Sequence, residues 1–350
     1  MLGLNYVLGL LSVDMGIDLG TANTLVCVRG QGLMLNEPSV VAVRKGTNQV
    51  LMDGQAVGAA AKEMLGKCPS GIEAIRPLKN GVIADFEITE AMLAYFIAKV
   101  HNRRFGVRPR VVIGVPSGIT TVEKQAVYAS AERAGARQVF LIEEPRAAGI
   151  GAGLPIQEPQ AHMVVDIGGG TADIAVTSLA ELVSARSVRC AGDKFDEAIV
   201  EHLRTIHNLH IGELTAERIK INAGSVMPLV EERAIEVKGR DVSTGRPRGC
   251  IVNSGEIREV LRDAVAPIKR SVIEVLEETP PELSADLVDS GIMLTGGGAL
   301  LNGLDRYLEE EIGLPVTIAD DPISCVARGT AIFLENLDRF ADILESSDQI

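Results

Sequence analysis

The chain has 350 residues, 46% hydrophobic but only 3% aromatic with no Trp, and its formal net charge is −13. A core of Ala, Val, Ile and Leu suits layered α/β packing over about two or three domains. The acidic balance argues against a nucleic-acid partner and against attachment to an anionic membrane by electrostatics alone.

In chain order, the first 13 residues, MLGLNYVLGLLSV, contain no Lys or Arg and lack the basic start of a secretory signal. Two readings stay open for them: an extended lead-in, or a short apolar helix lying on a membrane, with Leu4, Val7, Leu8 and Leu11 at helical spacing. No stretch reaches the roughly 18 apolar residues of a transmembrane helix. Strands are predicted over 14–19, 24–29 and 38–43, helices over 55–64 and 89–101, and a strand over 110–115. A helix over 120–134 opens on a Thr120/Glu123 capping box and ends at Gly135. A strand over 138–142 and a helix over 144–152 follow, and then a polar stretch with Pro155 and Pro159. Strands over 162–167 and 173–178 lead to helices over 195–206 and 215–223. Strands over 234–237 and 250–252 border a Gly/Arg-rich segment, 238–249, expected to be an exposed loop. Ser254 is the expected cap of a helix over 254–277, which Pro280-Pro281 stops. A strand over 291–295 and helices over 299–311 and 323–335 complete the order.

The five cysteines, Cys27, Cys68, Cys190, Cys250 and Cys325, are scattered without a CxxC and read as reduced cytosolic thiols. His202, His207 and His210 fall in one predicted helical region; with only His207 and His210 at i, i+3, a solvated helix face is favoured over a metal site.

One pattern occurs twice, as Gly16-Ile17-Asp18-Leu19-Gly20-Thr21-Ala22-Asn23-Thr24 and as Val165-Asp166-Ile167-Gly168-Gly169-Gly170-Thr171-Ala172. Each copy is an apolar strand, an Asp near its end, a Gly/Thr turn and a second apolar strand. A carboxylate there is costly without a partner, so two such turns facing each other would clamp a metal-bound polyphosphate. Gly20 to Asn23, Gly168 to Thr171 and a third turn, Gly296-Gly297-Gly298-Ala299, are candidate phosphate nests. The third precedes a predicted helix, whose N-terminus would add free donors. GxxxxGK[ST] is absent. Phosphate charge must then be met by backbone dipoles and a cation, and Asp18 and Asp166 suit Mg²⁺, which binds through one or two carboxylates and water. Glu144 follows the strand ending near Ile142; it either caps the next helix or orients and deprotonates water.

These segments resemble the actin, sugar-kinase and heat-shock-chaperone ATPase superfamily, and within it the MreB family of bacterial actins. The resemblance covers about residues 14 to 335 and rests on IDLGTANTLV, LNEPSVVAV, AIRPLKNGVIADF, RVVIGVPSGIT, VFLIEEP, MVVDIGGGTADIAV, GDKFDEAIV, IGELTAERIK, PPELSADL, LTGGGALLNGLD and DPISCVARGTA. It implies an α/β actin-like ATPase fold of two duplicated lobes, each a mixed sheet flanked by helices, with four subdomains. Lobe I would be 1–157 plus 328–350, with a small subdomain at about 45–77; lobe II would be 158–327, with a small subdomain at about 195–258. ATP would lie with its phosphates on 20–23 and 168–171, and Asp18 and Asp166 would hold Mg²⁺ largely through water. Glu144 and Thr171 would position the hydrolytic water, with Asp166 also catalytic. Glu217, Arg218, Ile219 and Lys220 would flank the adenosine, which Gly296 to Ala299 would close.

The resemblance also implies double antiparallel filaments in the cytoplasm, bound to cytoplasmic membrane lipids, with wall-elongation membrane proteins such as RodZ as partners and cell shape as the output. Phe105 and Val107, in the loop 102–107, match the family's membrane-inserting loop; an ordinary surface turn is the other reading. The chain departs from the family pattern in carrying Arg146 for an apolar residue near Glu144, Asn222 for Glu and Asp173 for Glu, and it lacks the N-terminal lysines of many members. Two other function classes share the clamp. A small-metabolite phosphotransferase would need an insertion building a substrate pocket, and none is evident. A chaperone ATPase would need a C-terminal peptide-binding domain, for which the 15 or so residues after the end of the resemblance near 335 leave no room.

Overall fold

The structure, a computed structural model, describes residues 13–101, 108–336 and 345–346. The first Asp-bearing strand, Met15–Leu19, lies inside a six-stranded sheet of order Glu345–Ser346, Gln138–Glu143, Arg110–Val115, Met15–Leu19, Asn23–Val28, Gly32–Pro38. It runs parallel to Arg110–Val115 and antiparallel to Asn23–Val28, so the sheet is mixed. Alternation along Asn23–Val28 sends Val26 and Val28 to one face and Leu25 and Cys27 to the other. The first face is covered by Phe86–His101 and Thr121–Arg133 through Met92, Phe96, Val127 and Tyr128. Ala327, on the helix Cys325–Glu335, packs on the second.

That helix packs against Glu144–Gly151 at backbone distance. A Cβ on Gly151 would come 1.8 Å from the Cys325 carbonyl, and one on Gly329 would come 1.9 Å from the Ala147 carbonyl. Only glycine permits such an approach, and it fixes the helix that begins at Glu144.

A second sheet has the order Glu181–Val188, Ala172–Ser178, His162–Ile167, Ile292–Thr295, Val316–Ile318. Its three last-named strands run parallel. His162–Ile167 is buried at every position, as expected of a strand covered on both faces. Around it, Phe195, Ile199, Ile219, Ile257, Leu261 and Val265 share one core with Val165 and Ile167. A three-stranded sheet, Leu209–His210, Ala234–Asp241 and Pro247–Asn253, adjoins these helices. The chain divides into two compact units: the described parts of Met1–Pro159, Thr177–Leu182 and Ile323–Ile350, and Gln160–Val176 with Val183–Pro322.

Several local expectations need correcting. The segment 238–249 is a hairpin rather than a loop: Lys238 pairs with Gly249 and Arg240 with Pro247. Asp241 holds its turn by accepting from the Ser243 and Thr244 N–H groups. Asn253, not Ser254, caps the helix Ser254–Glu278, accepting from the Glu256 N–H at 2.8 Å. Pro281 does not merely stop that helix but opens another, Pro281–Ser290, where its missing N–H costs nothing. The helix predicted over 55–64 is reduced to one turn, Ala59–Lys62, entered through Gly58 at φ 72°. The Thr120/Glu123 capping box is formed with both reciprocal bonds. All five cysteines are free thiols. No helix among the described residues is long and apolar enough to cross a membrane.

Candidate functional site

In the first unit the sheet gathers Asp18, Glu144 and the turn Gly20 to Asn23. Asp18 stands opposite Gly114 in the parallel register. A Cβ on Gly114 would lie 3.4 Å from Glu144 Cγ, so the absence of a side chain there leaves room for Glu144 to lie over the strand beside Asp18. Glu144 is 8% exposed. It occupies the first helical position, and the cap position belongs to Glu143, which makes no side-chain cap bond. The turn Gly20 to Asn23 is held from outside: Ser39 Oγ donates to the Gly20 carbonyl at 2.6 Å, the Ser39 N–H donates to the Ala22 carbonyl, and Thr21 Oγ1 accepts from the Gly81 N–H. A turn fixed by its surroundings keeps its backbone dipoles oriented without reorganisation when an anion arrives.

Arg146 is buried, and its charge is met by Glu143 at 3.6 Å and Glu181 at 3.3 Å. The guanidinium that interrupts an apolar position of the family pattern therefore has its own carboxylates.

In the second unit Asp166 is 6% exposed and accepts from Thr295 Oγ1 at 2.6 Å. Burial pushes its carboxyl up to about 7; the Thr295 bond pulls it down and the nearby Asp173 pushes it further up. A buried carboxylate held so far above its usual range would gain from a divalent cation, and a single carboxylate beside a phosphate-binding turn suits Mg²⁺. The turn Gly168 to Thr171 closes on a Gly168 N–H bond to the Thr171 carbonyl at 2.9 Å. Its Gly168 and Gly169 carbonyls accept from the N–H groups of Gly192 and Asp193, at the start of the helix Gly192–Ile206.

Lys220 continues this chain of contacts. Its Nζ donates to the Gly192 carbonyl at 3.0 Å and to Asp196 at 2.9 Å. Burial pushes the Asp196 carboxyl up to about 6, against the pull of Lys220. Sequence reasoning did not find Asp196 because its partner lies on another helix, Glu213–Ala223.

The third turn lies directly on the strand of Asp166. Gly296 has φ 79°, and a Cβ there would come 2.3 Å from the Ile167 carbonyl. Gly297 has open space around it. The expected helix at 299–311 instead begins at Leu304, after a single 3₁₀ turn, Gly297–Leu300. The Asn302-Gly303 break, with Gly303 left-handed, moves the helix N-terminus away from the glycines.

Ile219 and Ala299 are 0% exposed and belong to the core, so neither side chain has a surface to offer. The accessible part of their segments is Glu217 and Lys220, both partly buried, exposed Arg218, and Gly296 to Gly298. The membrane-facing candidates Leu4, Val7, Leu8, Leu11, Phe105 and Val107 lie outside the described residues.

Comparison with known proteins places this geometry. The family model described as MreB/Mbl protein matches residues 12–342. The cell shape-determining protein MreB of Escherichia coli (strain K12) is 53% identical over 341 residues, 97% of this chain and 98% of that protein. The cell shape-determining protein Mbl of Bacillus subtilis (strain 168) is 52% identical over 326 residues, 93% of this chain and 97% of that protein. The crystal structure of MreB5 of Spiroplasma citri bound to ADP superposes with a TM-score of 0.89 at 39% identity, covering 95% of this chain and 98% of that one. The fold is thus the actin-like one.

Proposed function

As the chain belongs to the MreB/Mbl family, we propose that it is an ATP-binding, filament-forming bacterial actin that determines cell shape. It works at the inner face of the cytoplasmic membrane, where it organises wall elongation, and ATP hydrolysis controls filament turnover. The observation that carries this reading is the duplicated Asp-and-glycine turn, with Glu144 packed over Gly114 beside Asp18.

Each residue has a separate task. The backbone N–H groups of 20–23 and 168–171 take phosphate oxygens. Glu217 and Lys220 border the adenosine, and Gly296 to Gly298 approach it with backbone alone. Asp18 and Asp166 would hold Mg²⁺ largely through water, and the ion would neutralise phosphate charge. Glu144 accepts a hydrogen bond from the attacking water and aligns it, with Thr171 as second partner. The MreB5 bound to ADP, and the same protein bound to AMPPNP at a TM-score of 0.88, support a nucleotide as ligand. The lobes are read as 1–157 with 328–350 and as 158–327. The chain pairs with itself in double antiparallel filaments and meets the lipid through its N-terminus and the loop 102–107, with RodZ-like proteins as membrane partners.

High-speed sedimentation with Mg²⁺-ATP and anionic liposomes tests the assembly. The protein should pellet above a critical concentration in the micromolar range, with lipid in the pellet. A chain that stays in the supernatant well above that concentration, lipid present, counts against the filament.

A further inference from the structure

His202 Nε2 lies 2.6 Å from Glu256 Oε1, and His207 Nε2 contacts the same oxygen. We propose that these three side chains form a binding site for a divalent transition-metal ion of the zinc class, separate from the nucleotide residues. Among the described residues, theirs are the ligand atoms that converge in this way, all within 4.8 Å of one another.

The sequence spacing pointed elsewhere. His207 and His210, three apart, looked like one helix face, but the helix ends at Ile206, with His207 as its C-cap. His210 passes into the strand Leu209–His210 and is exposed. The rings of His202 and His207 lie with centroids 6.1 Å apart, and Glu256 arrives from the first turn of another helix.

The chemistry fits a borderline metal. Two imidazole nitrogens and one carboxylate are the donor set of many three-ligand zinc sites, which leave the fourth position to water. Bonds of about 2.0–2.1 Å in a tetrahedron set ligand atoms about 3.3 Å apart, so small side-chain rotations that widen the present contacts admit the ion. The imidazoles do not stack: their centroids are 6.1 Å apart at 65°. The side chains are 19% to 23% exposed, which lets an ion in from solvent.

The frame is rigid. Ile199 and Leu203, on the helix of His202, share a core with Ile257, next to Glu256. The Glu256 N–H is held by the Asn253 cap, and Arg248 donates to the His207 carbonyl while pairing with Asp241 at 3.1 Å. Pre-positioned ligands lower the ordering cost of binding. Without metal, the same geometry is a cluster in which both rings hydrogen-bond to one carboxylate oxygen, contacts that the ion would replace.

The test uses the full chain, stripped with a chelator and titrated with Zn²⁺ alone by calorimetry, and with Co²⁺ by absorption. One equivalent per chain is expected, with tetrahedral cobalt bands, imidazole nitrogen in the X-ray absorption spectrum, and a zinc-dependent rise in Tm. His202→Gln with His207→Gln should weaken binding by more than about tenfold and remove the Tm rise, with folding checked by circular dichroism. Glu256→Gln should also weaken it. If these variants fail to fold, the wild-type cobalt and absorption spectra decide. Absence of stoichiometric binding, equal binding by the folded double variant, or coordination by cysteine thiolates without imidazole overturns the proposal.

Discussion

Thr295 donates its hydroxyl to Asp166 at 2.6 Å, and the two stand opposite each other in the parallel register of Ile292–Thr295 and His162–Ile167. One hydrogen bond thereby joins the strand that leads into the second Asp turn to the strand that leads into the third glycine turn. Thr295→Val keeps the shape and deletes the donor. It should cost about 1–2 kcal/mol in stability, raise the Asp166 carboxyl further, and increase the Mg²⁺ concentration needed for half-maximal ATP hydrolysis. Urea denaturation and a Mg²⁺ titration of phosphate release measure the two effects; an unchanged Mg²⁺ requirement would detach Asp166 from the metal.

Glu144 rests over Gly114, and Gln keeps its size and carbonyl oxygen while removing its charge. Glu144→Gln should therefore leave nucleotide affinity near wild type while phosphate release falls by about 10²–10⁴-fold. Fluorescent-nucleotide binding and single-turnover release separate the two. Equal loss of binding and turnover would assign Glu144 a structural role instead.

The backbone contact of Gly329 with Ala147 sets the position of the Glu144 helix. Gly329→Val places carbon where a carbonyl already stands, and overpacking of this kind costs about 1–3 kcal/mol or more. Tm should fall by several degrees, and turnover in the folded fraction should fall with it. A variant of wild-type stability would mean that the two helices separate at little cost.

Asp196 gives a pH dependence. Its folded carboxyl titrates at about 6 against the ordinary 3.8, because burial outweighs the pull of Lys220. Between these values the folded chain holds a proton that the unfolded chain has lost, so this group's contribution to stability falls as pH rises from about 4 to about 6 and is level above. Asp196→Asn keeps an acceptor for Lys220 and removes the titration. Denaturation midpoints for the two proteins across that range should diverge toward low pH in favour of the wild type; parallel profiles would rule the assignment out.

Much of this was legible in the chain. The strands 110–115 and 162–167 match their predicted bounds because they are buried on both faces and read as unbroken apolar runs. Gly32–Pro38, Glu181–Val188 and Val316–Ile318 escaped notice for the opposite reason. Each is at a sheet edge, half in solvent, and the first carries Asn36, Glu37 and Pro38. At the site, Asp18, Asp166, Glu144 and the three glycine turns stood out because their residue types are poor choices for packing. The Thr295–Asp166 bond, Asp196 and Gly114 did not, since each involves a partner distant in sequence. For Ile219 and Ala299 the motif marks a segment, whereas helical phase and packing decide which of its side chains reach the surface, and these two lie in the core.

The most direct test of the account is phosphate release from ATP by the purified full-length chain, with and without Mg²⁺, for the wild type, Asp166→Ala and Glu144→Gln. The account predicts slow Mg²⁺-dependent release by the wild type, none above background for Asp166→Ala, and strongly reduced release for Glu144→Gln. Release by Asp166→Ala at the wild-type rate would contradict it.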